Sequence, residues 1–113
     1  MTRQYGDYLE DIVHSIGDAK AFIGGMGWPE FRRDRKTQNA VIRSIEVIGE
    51  AAKNIPASLR RRYLDIPWKK MAGMRDKLAH EYFGIDLGIL WKVVKEDLPP
   101  LLPMIRRVLK ELG

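Results

Sequence analysis

Between Arg35 and Ile55 the apolar residues Val41, Ile45, Ile48, Ala52 and Ile55 recur at steps of four, three, four and three. That spacing keeps them on one stripe of a helix, close to a coiled-coil seam, and commits the longest periodic segment of the chain to packing against other helices. Asp34 stands where an N-cap is wanted. Pro56 stops the helix, because it has no N–H and its ring opposes helical continuation. Gly49 in mid-helix costs about 1 kcal/mol relative to alanine. A close crossing by a second helix at that point would account for it.

The same period runs through the rest of the chain. Tyr8, Ile12, Ile16, Ala19 and Ile23 predict a helix from about Gly6 to Ile23, ended by Gly24-Gly25 and Gly27 with Pro29 beyond. Helix-compatible residues resume at Glu30, with Phe31 as an anchor. The stretch from Ser58 to Tyr63, carrying Arg60-Arg61-Arg62, reads as a helical turn or two. Asp65-Ile66-Pro67 opens a further helix that Gly84 closes. Asp86 caps another through Leu87, Leu90, Trp91, Val94 and Leu98, and Pro99, Pro100 and Pro103 break or kink the chain before a last stripe of Ile105, Leu109 and Leu112. Nothing alternates with the period of a strand. The expectation is an all-α bundle of about four to five helices with short connections, a single domain over residues 1–113.

A chain of 113 residues with 45% hydrophobic composition can bury a real core, and a protomer this small often gains from pairing with its own copy. Lys and Arg number 20 against 15 Asp and Glu, a net charge of +5 that favours an acidic partner, nucleic acid first. The absence of cysteine excludes disulfides, thiolate metal sites and cysteine nucleophiles. Arg3, Asp7, Glu10 and Asp11 interrupt any apolar run at the N-terminus, and no stretch approaches a membrane span, so a soluble cytoplasmic protein is expected. His14 falls on a polar face and reads as a surface residue. Trp28, Trp68 and Trp91 read as core or interface anchors rather than base-stacking platforms.

Chemistry concentrates in Met74-Arg75-Asp76-Lys77-Leu78-Ala79-His80-Glu81-Tyr82. On a helical wheel of about 100° per residue, Met71, Met74, Leu78 and Tyr82 share a core-facing side, while Gly73, Asp76, His80 and Phe83 share the other. Arg75 and His80 then diverge by about 140°, so one helix does not aim both at a point. Two copies about a two-fold axis could, with every residue appearing twice in one cleft. Such a cleft suits cleavage of RNA, which carries its own nucleophile in the ribose 2′-OH. Imidazole titrates near neutrality and serves as base or acid, while guanidinium binds phosphate bidentately and stays charged. Asp76, four residues before His80, could orient the imidazole. Neither a metal nor a cofactor is called for. Tyr82 also reads simply as a core tyrosine with its hydroxyl at the rim.

Arg75, His80 and Tyr82 together resemble the Arg-x4-His-x-Tyr motif of the HEPN superfamily, and most closely the HepT-like ribonuclease toxins of HEPN–minimal nucleotidyltransferase toxin–antitoxin pairs. The runs from Asp34 to Arg43 and from Ile48 to Lys53, Pro67-Trp68, and Phe83-Gly84-Ile85-Asp86 share in the likeness, which covers most of the chain. The resemblance implies a HEPN-type all-α homodimer acting as a metal-independent RNase. Arg75 and His80 of both protomers would be catalytic, with Asp76 supporting them. It further implies that Tyr82 is AMPylated by the cognate nucleotidyltransferase antitoxin. A reading of a different class is a non-catalytic helical subunit that docks a nucleotidyltransferase or polyanion through Arg32-Arg33, Arg60-Arg61-Arg62 and Lys69-Lys70. A purely structural helical protein is the third.

Overall fold

The computed structural model describes residues 4–80 and 84–113, with the backbone alone at Ala79 and His80. Helix α1 spans Tyr5–Ile23, α2 Trp28–Phe31, α3 Arg35–Lys53, α4 Ala57–Arg62, α5 Trp68–Ala72, α6 Met74–Leu78, α7 Leu87–Lys92 and α8 Leu101–Leu112. A π-helical turn, Val93–Asp97, continues α7. A pair of two-residue strands, β1 Ala79–His80 and β2 Gly84–Ile85, runs antiparallel with His80 opposite Gly84.

The frame is the pair of long helices that periodicity predicts, α1 and α3, packed against each other. Ile12, Ile16 and Ala19 of α1 meet Val41, Ile45, Ile48 and Ala52 of α3, all fully buried. Helix α8 closes the other flank of α1, while α5 and α6 lie on α3. The ends follow local chemistry. Asp34 caps α3, accepting from the Thr37 N–H at 3.0 Å and from its hydroxyl at 2.7 Å. The Thr37 backbone bond first, then its hydroxyl, holds the Asp34 carboxyl below the ordinary carboxylate value. Asp86 caps α7 through the Ile89 N–H, and Gly24 ends α1 at a φ of 41°.

Four expectations are corrected. The described residues form eight α-helices rather than four or five, because α2 and α4 are separate short turns and Gly73 divides the segment after Pro67 into α5 and α6. The motif helix does not run to Gly84. It ends at Leu78, whose carbonyl accepts from the Asp86 N–H at 2.9 Å, and the chain turns extended into β1. Gly84 instead stands in β2 with a φ of 92°, a conformation glycine tolerates without penalty. The last helix buries Leu101, Ile105 and Val108 and leaves Leu109 and Leu112 half-buried, so its inner stripe is rotated from the predicted one. Leu98 N–H reaches back five residues to the Val93 carbonyl at 2.9 Å, the π turn that precedes the N–H-less Pro99 and Pro100.

Candidate active site

The site is built from the Gly49 crossing upward. A Cβ placed on Gly49 would lie 3.3 Å from the Ala72 carbonyl oxygen and 3.4 Å from that of Met71. The end of α5 therefore rides directly on the α3 backbone, which accounts for a glycine in the middle of a 19-residue helix. Helix α6 starts two residues after Ala72, with Met74 and Leu78 buried. Arg75 and Asp76 between them are exposed, beside the polar side of α3.

There Arg75 Nε lies 3.7 Å from Glu46 Oε1, an ion pair at more than hydrogen-bond length, with 51% of the Arg75 side chain exposed. Glu46 is approached from its other side by Arg43 Nη1 at 3.9 Å. Arg43, Glu46, Glu50 and Lys53 of α3 and Arg75 and Asp76 of α6 line one groove of about 190 Å³. Within one protomer its three cations face three carboxylates, so the groove is balanced rather than basic. Nothing in the apolar seam points to the α3 contribution. The signal is a second stripe, Arg43, Glu46, Glu50 and Lys53, at steps of three, four and three. That places four charged side chains on one face.

Of the predicted site residues, Arg75 and Asp76 share this groove. His80 does not occupy a helical position: its backbone belongs to β1, so the wheel placing it opposite Met74 and the four-residue helical relation to Asp76 do not hold. Tyr82 and Phe83 lie outside the described residues. Lys77 turns elsewhere, with Nζ 3.9 Å from Asp97 Oδ2 on a larger cavity of about 570 Å³ between α6 and α8. His14 is exposed. Trp68 is buried, its indole N–H donating to the Tyr63 carbonyl at 3.1 Å, while Trp28 and Trp91 pack with Phe31. Among the described residues no group of three His, Asp or Glu side chains is placed to hold a metal ion, and no helix is long and apolar enough to cross a membrane.

The Arg60-Arg61-Arg62 run is not a uniform docking patch. Arg60 donates from Nε to the Ile55 carbonyl at 3.0 Å and from Nη2 to the Ala52 carbonyl, which also accepts from the Ile55 N–H, so the side chain ties α4 to the last turn of α3 and the residues after it. Arg60→Ala is expected to destabilise the fold by about 1–3 kcal/mol. Arg61→Ala, on an exposed side chain, stays within about 0.5 kcal/mol of wild type. Urea denaturation of both variants checks the contrast.

Residues 12–108 match the family model described as ribonuclease HepT-like. The chain is 52% identical over 101 residues to a Thermococcus cleftensis protein named "Probable ribonuclease HepT", covering 89% of this chain and 92% of that one. It is 45% identical over 105 residues to "Putative RNase MJ0127" of Methanocaldococcus jannaschii, covering 93% and 87%. With "Putative RNase TTE0752" of Caldanaerobacter subterraneus it shares 38% identity over 104 residues, covering 92% and 93%. No solved structure matches. Agreement at these identities over nearly the full length of each partner leaves one assignment: the chain belongs to the ribonuclease HepT-like family.

Proposed function

We propose that the protein is an endoribonuclease toxin that cuts RNA by attack of the ribose 2′-OH on its own phosphodiester, at a cleft shared by two protomers. The observation that carries this reading, beyond family membership, is a half-exposed Arg75 at the α3 groove, where Arg43 and Lys53 stand with Glu46, Glu50 and Asp76. Arg75 supplies bidentate donors to the phosphate and stabilises the charge that builds on its oxygens in the transition state. His80 of one protomer takes the proton from the 2′-OH, and His80 of the other gives a proton to the departing 5′ oxygen. The products are a 2′,3′-cyclic phosphate and a free 5′-OH. The motif holds one imidazole per chain, so two-fold pairing is what supplies both a base and an acid. Asp76 helps shape the charge around Arg75.

In the same reading Tyr82 is the control point. A nucleotidyltransferase antitoxin transfers adenylate to its hydroxyl, and the added phosphate charge and bulk exclude the RNA backbone from the cleft.

The test is cleavage of RNA by purified protein in EDTA. The expected result is 2′,3′-cyclic phosphate ends and no cutting of an oligonucleotide whose target position carries 2′-deoxyribose. Intact RNA, or equal cutting of the deoxy substrate, overturns the proposal. Binding without turnover would point instead to the docking subunit.

A further inference from the structure

We infer that Glu46 is a positioning residue for Arg75. It holds the Nε of the guanidinium, so that the two terminal nitrogens at the end of the fork are left to meet the RNA phosphate. This rests on the ribonuclease reading above and adds a residue from a different helix to it.

Three observations converge on Glu46. Its Oε1 faces Nε of Arg75 at 3.7 Å, so the contact engages one nitrogen of the guanidinium rather than capping the fork. A planar group with five donors can be held on one nitrogen and still present a bidentate pair from the others. Arg43, three residues before Glu46 on α3, approaches its other oxygen, Oε2, at 3.9 Å, so the carboxylate lies between two guanidinium groups. The floor is close-packed as well. Gly49, three residues after Glu46, lets the carbonyls of Met71 and Ala72 approach α3 immediately before α6 begins, which fixes where Arg75 leaves its helix.

The placement is otherwise unfavourable. A carboxylate in a groove meant for RNA repels phosphate, and an ion pair whose partners are 51% and 36% exposed adds little to folding stability. A contribution to the geometry of Arg75 gives the carboxylate a use that neither binding nor stability provides. The two effects also have opposite signs, so the test is sharp. Removing the charge should favour RNA binding while harming the chemical step.

The experiment compares wild type, Glu46→Gln, Glu46→Asp and Arg75→Ala on one RNA oligonucleotide. For Glu46→Gln the expected result is a kcat about tenfold lower, the scale on which small misplacements of a reacting group are felt, with KM unchanged or lower and the denaturation midpoint unmoved. Glu46→Asp, which keeps the charge on a shorter stem, should recover part of kcat. The Arg75 Nε–H resonance in a ¹H–¹⁵N spectrum should shift in Glu46→Gln, a readout independent of turnover. An unchanged or raised kcat in Glu46→Gln, or an unmoved Arg75 resonance, overturns the role of Glu46. If Arg75→Ala itself cleaves at the wild-type rate, it is the assignment of the active site that fails instead.

Discussion

Arg75→Ala is expected to lower the rate of RNA cleavage by about 10²–10³-fold, the scale of losing one preorganised group that stabilises transition-state charge. Its stability should stay within about 0.5 kcal/mol of wild type, because the side chain is half exposed and its ion pair with Glu46 is long. The two measurements together separate a chemical loss from an unfolded sample. Arg75→Lys should recover only a small part of the activity. Lysine carries the charge but cannot present a planar bidentate fork to phosphate. His80→Ala should fall at least as far, and the pH dependence of any residual cutting should lose the limb that imidazole imposes. Cleavage assays on a single RNA substrate, with urea midpoints measured alongside, check all three variants. Wild-type turnover in Arg75→Ala would remove this arginine from the chemistry.

The second large effect is structural. Gly49→Val is expected to destabilise the protein by about 1–3 kcal/mol, the usual range for overpacking a filled contact. It should also cut RNA cleavage beyond the fraction unfolded. The obstruction consists of the Ala72 and Met71 carbonyl oxygens, 3.3 and 3.4 Å from the position of a Cβ. These are backbone atoms, so they cannot rotate aside as a flexible side chain would. Relief requires moving the end of α5 off α3, and α6 follows, carrying Arg75 away from Glu46. Gly17 in α1 is the control. Nothing lies within 4 Å of a Cβ there, so Gly17→Ala should stabilise by about 0.5–1 kcal/mol through helix propensity alone. Urea denaturation of Gly49→Val and Gly17→Ala should therefore shift the midpoint in opposite directions. A Gly49→Val protein as stable and active as wild type would show that the crossing does not position the site.

Several features were readable in advance because their causes lie within a few residues of one another. The α1 and α3 stripes, the Asp34 and Asp86 caps and the glycine stop at Gly24 depend on helical period and on donors one turn away. The burial of Met74 and Leu78 followed in the same way from their spacing on one side of the wheel. The placement of His80 did not follow. A wheel drawn through Leu78 carries the helix onward, because nothing local in Ala79-His80 forbids it. The chain leaves the helix where Leu78 O accepts from Asp86 N–H and His80 pairs with Gly84, contacts between residues that are not helical neighbours.

The amino-acid order by itself determined that this chain is helical, where its two long helices lie, and which family it joins, since period, caps and motif are all local properties. Only the tertiary structure decided that Gly49 admits the carbonyls of α5, that Arg60 closes the end of α3, and that Glu46 stands beside Arg75. Each of those is a meeting between elements. Helical period fixes which face a residue occupies but carries no information about which other face will be laid against it.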